Sequence, residues 1–210
     1  MVEKATFCTA YLPPIAWFQH ALQYKQISIE ANEHYNKQSY RNRCKILSAN
    51  GILDLSIPVI HQNKKQFIQE VLTQESEPWR KIHWQAICSA YGKSAFFLYY
   101  RDAFENIYLN KDTNHLFGLN LAFLQLIFKL LKVDCEIQLT DTYEWQLNMG
   151  ADFRNSFQAK NPNIDKELLF EKKYYQVFAE KFTFKPNLSI IDLLFNVGPL
   201  SKDYLVQAIN

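Results

Sequence analysis

Between Lys4 and Ala31 the chain changes its hydrophobic period twice, and that switch restricts the fold more than any other stretch. "KATFCTAY" at 4–11 reads as a short strand, and "PP" at 13–14 then suits a helix start, where no intrahelical donor is needed. In "IAWFQHALQY", Ile15, Phe18, Ala21 and Leu22 recur at helical spacing, so one face packs inward. "QISIEAN" returns to alternation, with Ile27, Ile29 and Ala31 on one side and Ser28, Glu30 and Asn32 on the other. A strand–helix–strand unit usually closes as a right-handed parallel crossover. It would place Thr9 to Tyr11, Pro13 and the run from Glu30 to His34 along one carboxyl edge, where open α/β sheets bind ligands.

Downstream, "CKILSANGILDLSIPV" predicts a β-hairpin, because Asn50 and Gly51 suit the positive dihedrals of a tight turn. "KKQFIQEVL" reads as a further strand, followed by helices over 78–91, 94–109 and 116–132, the last capped by Asn114. A strand "CEIQLT", a polar irregular region over 141–173, and a helix in "NLSIIDLLFNVGP" complete the chain, before a last short helix ending near Ile209. In that punctuation Ser189 is the cap, Asp192 follows three residues later, and Gly198 with Pro199 is the stop. The predicted class is α/β: a central, mainly parallel or mixed sheet with an N-terminal strand–helix–strand unit, a β-hairpin and a helical second half. At 210 residues and 48% hydrophobic content, one core and one domain over residues 1–210 are expected.

A net charge of +2 gives no general pull toward nucleic acid or an acidic membrane, so any anion site must be local. Cys8, Cys44, Cys88 and Cys135 are far apart and show no metal-ligand spacing, which fits a reducing, cytoplasmic setting. The apolar start carries Glu3 and a double proline and does not read as a signal peptide. "LFGLNLAFLQLIFKLL" is interrupted by Asn120, Gln125 and Lys129 and falls short of the roughly 20 residues of a membrane span, so it reads as a core helix. The 15% aromatic content leaves room for an apolar surface patch and a homodimer.

The local excess of positive charge is "KQSYRNRC" at 37–44. Extended, it would put Lys37, Ser39, Arg41 and Arg43 on one face and Tyr40 and Asn42 on the other; helical, it would still align Lys37 with Arg41. Guanidinium forks match phosphate or carboxylate, and lysine adds a point charge, so the cluster suits an anion. A solvated β-edge guarded by positive charge is the competing reading. Just before it, Glu30, Glu33 and His34 supply carboxylates beside an imidazole, the ingredients of general base catalysis. A second mixed-charge stretch, "ADFRNSFQAKN", offers Asp152, Arg154, Asn155 and Lys160 on a loop.

His20 and His83 sit on helices and read as structural, while His61 and His115 stand alone, so no transition-metal site is expected. The five glycines form no phosphate-binding fingerprint, and no cofactor is predicted. Single-stranded nucleic acid draws slight support from Tyr35 and Tyr40 among the cations, but one short patch does not make a binding surface.

Several blocks together, "AYLPPIAWF", "YNKQSYRNRCKI", the "NG" turn leading to "LSIPV", "YYQVF" and "FKPNLSIIDLLFN", resemble the WbqC-like family of bacterial proteins over nearly the whole chain. The resemblance implies an intracellular bacterial protein associated with surface polysaccharide or O-antigen assembly, labelled a glycine or aminoacyl transferase. Family sequences often carry Gln-Pro shortly before the "YLP" tyrosine, where this chain has Cys8 and Thr9. Carried over by position, it favours Tyr11, Pro13, Lys37, Tyr40, Arg41, Asn42, Arg43, Asn50 and Gly51, then Gln176, Asn187, Ser189 and Asp192.

The expected function is group transfer from an activated, anionic small molecule: a nucleotide-linked sugar or an acyl or aminoacyl donor. Lys37, Arg41 and Arg43 would hold the phosphate or carboxylate, Asn42 would orient it, with Tyr40, Arg154 and Asn155 nearby, and Glu30, Glu33 or His34 would move the proton. The rival is a non-catalytic ligand-binding or scaffold protein of the same pathway.

Overall fold

The computed structural model describes residues 4–60, 65–110, 113–159 and 172–206. Strand β1 (Lys4–Cys8) leads through a short loop to α1 (Ile15–Ala21) and then to β2 (Gln26–Glu30). The two strands pair in parallel, Lys4 opposite Gln26 and Cys8 opposite Glu30, as the switching periodicity requires. Their apolar residues Ala5, Phe7, Ile27 and Ile29 are at most 1% exposed, and α1 packs there through Trp17, whose ring lies 4.7 Å from that of Phe7.

Hairpin strands β3 (Arg43–Ser48) and β4 (Gly51–Ser56) form a separate antiparallel pair. Only Gly51 of the expected turn pair takes a positive φ, +108°; the Ser48 hydroxyl holds the turn by donating to the Gly51 carbonyl at 2.8 Å. Helices α2 (Trp79–Tyr91), α3 (Phe97–Leu109) and α4 (Leu116–Leu131) follow, then β5 (Glu136–Leu139), β6 (Ala151–Asp152), α5 (Ile190–Val197) and α6 (Ser201–Val206). The parallel sheet has the order β5-β2-β1-β6. The class is therefore α/β, with the mainly parallel sheet, the hairpin and the helix-rich second half that the sequence predicts. The chain moves outward from β1 to β2 and β5, then returns to the other side of β1 for β6. Such a reversal opens a crevice at the carboxyl ends of β1 and β6.

Four local expectations change. "KKQFIQEVL" is not a strand: Ile68–Glu70 is a single 3-10 turn burying Ile68 and Val71, a spacing of three that alternation cannot satisfy. Helix α4 is preceded by His115, and Asn114 instead offers its carbonyl to the N–H and hydroxyl of Thr73. Ser189 occupies the cap position of α5, yet its hydroxyl donates to the carbonyl of Leu12 at 2.8 Å. Asp192 belongs to no capping box; it is buried and accepts from Tyr174 Oη at 2.6 Å and Gln176 Nε2 at 2.9 Å. The stop at Gly198 holds, because its φ of +64° and the Phe96 ring, which stands where a Cβ would go, both demand glycine.

Those C-terminal residues explain why the "YLPP" and "PNLSIID" blocks occur together. Asn187 Oδ1 accepts from the N–H of Ala16 at 2.9 Å, satisfying an orphan donor of α1. Ile15 N–H donates to the Leu188 carbonyl and Ile190 N–H to that of Pro13, so one segment is sewn to the other. Phe195 completes the core between them and α2–α3, its ring 5.2–5.3 Å from Tyr91, Phe97 and Phe104. Farther in, Tyr11 Oη bonds His83 Nδ1 at 2.9 Å and Tyr108 Oη at 2.5 Å, a buried polar set reaching from the end of β1 to α2 and α3.

Candidate functional site

The stretch from Lys37 to Asn42 is a turn, neither extended nor helical, with Gln38 at a φ of +57°. The Tyr11 N–H donates to the Tyr40 carbonyl at 2.8 Å and clamps this turn onto the end of β1. Asn120 Nδ2 on α4 holds the Arg41 carbonyl at 2.8 Å from the other side. So fastened, Asn36, Lys37 and Arg41 meet Arg154 and Asn155, which follow β6, around a cleft of about 210 Å³ also walled by Ser39 and Phe157. Two cationic stretches more than a hundred residues apart in sequence thus come together beside the reversal of the sheet.

Arg41 and Glu33 form a buried bidentate pair, with Nε–Oε1 at 2.8 Å and a second contact through Nη2 and Oε2. Burial raises the Glu33 pKa, and the guanidinium beside it pulls the other way. This pair leaves Arg41 Nη1 without an acceptor among the described residues, and Lys37 is exposed with no ion-pair partner among them. Arg154 is more fully engaged. Nε and Nη2 grip Asp152 at 2.9 and 2.6 Å, Nη1 reaches Glu30 Oε2 at 3.2 Å and the Glu144 carbonyl at 2.7 Å, and the guanidinium lies 4.8 Å from the Tyr143 ring. Its hydrogen bonds hold the Asp152 carboxyl below the usual range. Arg154 therefore supports the wall, while Arg41 and Lys37 carry the open donors.

Among the three proton-transfer candidates, Glu30 is fully buried and accepts from Thr140 Oγ1 at 2.6 Å and Asn32 N–H at 2.9 Å besides Arg154. It borders a different hollow, of about 820 Å³, on the polar face of the sheet with Thr6 and Ser28. Glu33 is committed to Arg41. His34 alone has a ring free of hydrogen bonds among the described residues; it stacks on Phe67 at 4.6 Å and lines a second cleft, of about 360 Å³. Asn36, Arg41 and Asn155 are common to both clefts, so the two adjoin.

Tyr40, Asn42 and Arg43 line neither cleft. Tyr40 is buried, and Asn42 Nδ2 ties the turn to the Ile57 carbonyl at 3.0 Å. Arg43 begins β3, pointing its role toward the hairpin, because the turn breaks the alternation that would have aligned it with Arg41. Lys160 and His61 lie outside the described residues. Cys8, at the end of β1 in the field of Arg41, is pushed up to about 11 by burial and stays a thiol at neutral pH, unsuited to nucleophilic work. All four cysteines are free, and among the described residues there is no metal-binding cluster and no helix long and apolar enough to cross a membrane.

Sequence reasoning missed Asn36, Phe67, Tyr143 and Trp145, all on the second cleft. The available signal was a pair of aromatic residues, Tyr143 and Trp145, inside a polar stretch with no hydrophobic period to bury them.

The chain is 26% identical over 229 residues to an uncharacterized protein of Mycobacterium tuberculosis, Rv1507c, with 98% of each chain covered. No solved structure matches it. The model of the WbqC-like protein family matches residues 9–161, a span that runs from the end of β1 through the cationic turn and the hairpin to the Arg154 loop. By that match the chain belongs to the WbqC-like protein family.

Proposed function

We propose that the protein transfers a group, an aminoacyl, acyl or glycosyl unit, from an anionic activated donor in bacterial surface-polysaccharide biosynthesis. The observation that carries the reading is the meeting of Lys37 and Arg41 with the Arg154–Asn155 loop in one cleft at the carboxyl edge of a parallel sheet. The donor's phosphate lies against Arg41 Nη1 and Lys37, where charge-assisted bonds are strong and the neighbouring wall is held by other ion pairs. His34 takes the proton from the acceptor's hydroxyl or amine as that atom bonds to the donor's activated carbon. The carbon–oxygen bond to phosphate breaks, its electron pair goes to the phosphate oxygen, and the two cations stabilise the charge that develops. Free thiols accord with a cytoplasmic enzyme, where such donors are made.

The commitment of Glu30 and Glu33 to ion pairs favours a second reading, a ligand-binding or scaffold protein of the same pathway. Titration with inorganic pyrophosphate tests the anion site: the wild type binds, and Lys37→Ala, a change at an exposed side chain, weakens binding about tenfold, the loss of one charge-assisted hydrogen bond. Equal affinity in both proteins defeats the anion site. Turnover of a bound donor that disappears in His34→Ala supports the transferase; binding of donors with no turnover for any acceptor supports the scaffold.

A further inference from the structure

The second cleft has the chemistry to recognise a ring, and we infer that it seats the base of a nucleoside phosphate whose phosphates occupy the adjoining cationic cleft. This rests on the anion reading above and names the other end of the ligand. Of the four tryptophans, Trp17, Trp79 and Trp84 are at most 7% exposed, whereas Trp145 is 91% exposed. It meets the half-exposed Tyr143 edge to face at 5.5 Å, and Tyr143 is itself held under the Arg154 guanidinium. Phe67, 46% exposed, lines the same cleft from the opposite stretch of chain. Faces of this kind, left in water, are favourable platforms for a flat ring, and stacking accepts any base.

The amides supply an edge as well as a face. The side chains of Asn36 and Asn155 make no hydrogen bond among the described residues, and both line the two clefts together with Arg41. An amide presents a donor and an acceptor side by side, the pattern that reads a base edge or a ribose hydroxyl. The exposed rings thus belong to one cleft, Lys37 to the other, and Asn36, Asn155 and Arg41 to the junction, matching base, phosphates and the sugar between them in a nucleoside diphosphate. The location agrees: the cleft follows the ends of β2 and β6 at the reversal of a parallel sheet. A free nucleotide, a nucleotide-linked sugar and an acyl nucleotide share this chemistry.

The test uses the full chain, with ADP, UDP, glucose 1-phosphate and inorganic pyrophosphate as probes, read by tryptophan emission and by calorimetric titration. Trp145 is the one solvent-facing tryptophan, so a ring stacked on it changes the emission. At least one nucleoside diphosphate binds about tenfold or more tighter than pyrophosphate, the gain one stacked base provides, and alters the emission. Trp145→Ala then brings its affinity down to that of pyrophosphate while leaving pyrophosphate binding unchanged. Pyrophosphate binding as tightly as every nucleotide, with a silent Trp145, overturns the base site and leaves the anion site standing. Glucose 1-phosphate binding tighter than either nucleotide and quenching Trp145 also overturns it, giving the rings to a sugar. No binding of any probe overturns both this inference and the anion site.

Discussion

Acidification between pH 6.5 and 4 weakens the fold through a buried imidazole, His83. It is 5% exposed on α2, and burial lowers its pKa from 6.5 to about 4, with a contact to the Ser56 backbone working slightly the other way. Folded, the ring refuses protons that the unfolded chain accepts, so stability is complete above the ordinary pKa and is lost as pH falls from 6.5 toward 4. Every tenfold reduction in proton affinity on folding is worth about 1.4 kcal/mol, which makes the full loss about 3 kcal/mol and the part between pH 7.5 and 4.5 about 2.5 kcal/mol. Glu33 and Asp192, both raised by burial, act in the opposite direction at the acid end of that window. Comparison with His83→Asn removes them, since Asn keeps a polar atom for Tyr11 and cannot titrate. Urea unfolding of both proteins across the window should show the wild-type stability falling relative to the variant by that amount. Parallel profiles would refute a neutral, buried His83.

Arg41→Met leaves Glu33 buried without its counter-charge and lowers stability by about 3–5 kcal/mol in urea unfolding; pairing it with Glu33→Leu restores most of the loss. Phe195→Ala empties the ring cluster between α5, α2 and α3 and destabilises by about 3–5 kcal/mol, read from the same transition. Gly198→Ala forces a Cβ into the Phe96 ring at a left-handed φ and lowers the thermal midpoint, whereas Gly118→Ala, which meets nothing within 4 Å inside α4, raises it by removing a helix-interior glycine.

The strand–helix–strand unit and the hairpin were legible because apolar residues recur in them at periods of 2 and 3.6, even though both faces of β1 and β2 and most of α1 are buried. Strand β6 was not: with two residues it has no period, and it exists because Ala151 and Asp152 find an open edge beside β1. The cationic turn was visible as composition, but the pairing of Arg41 with Glu33 and of Arg154 with Glu30 and Asp152 depends on which chain segments the sheet order brings together. For the same reason Lys37 and Arg41 could be grouped in advance while Arg43 could not be set apart from them. Ser189 and Asp192 misled because a capping pattern in sequence cannot announce that both side chains have stronger partners across the fold, in Leu12 and in Tyr174 with Gln176.

The stitching of Asn187, Leu188 and Ser189 onto Leu12, Pro13 and Ala16 has a consequence for biosynthesis. A ribosome delivers the amino-terminal partner of that seam first and the other about 170 residues later. Until then, the Leu12 carbonyl and the leading amides of α1 must be hydrated. Closure of this seam is thereby postponed until residues 187–190 have left the ribosome.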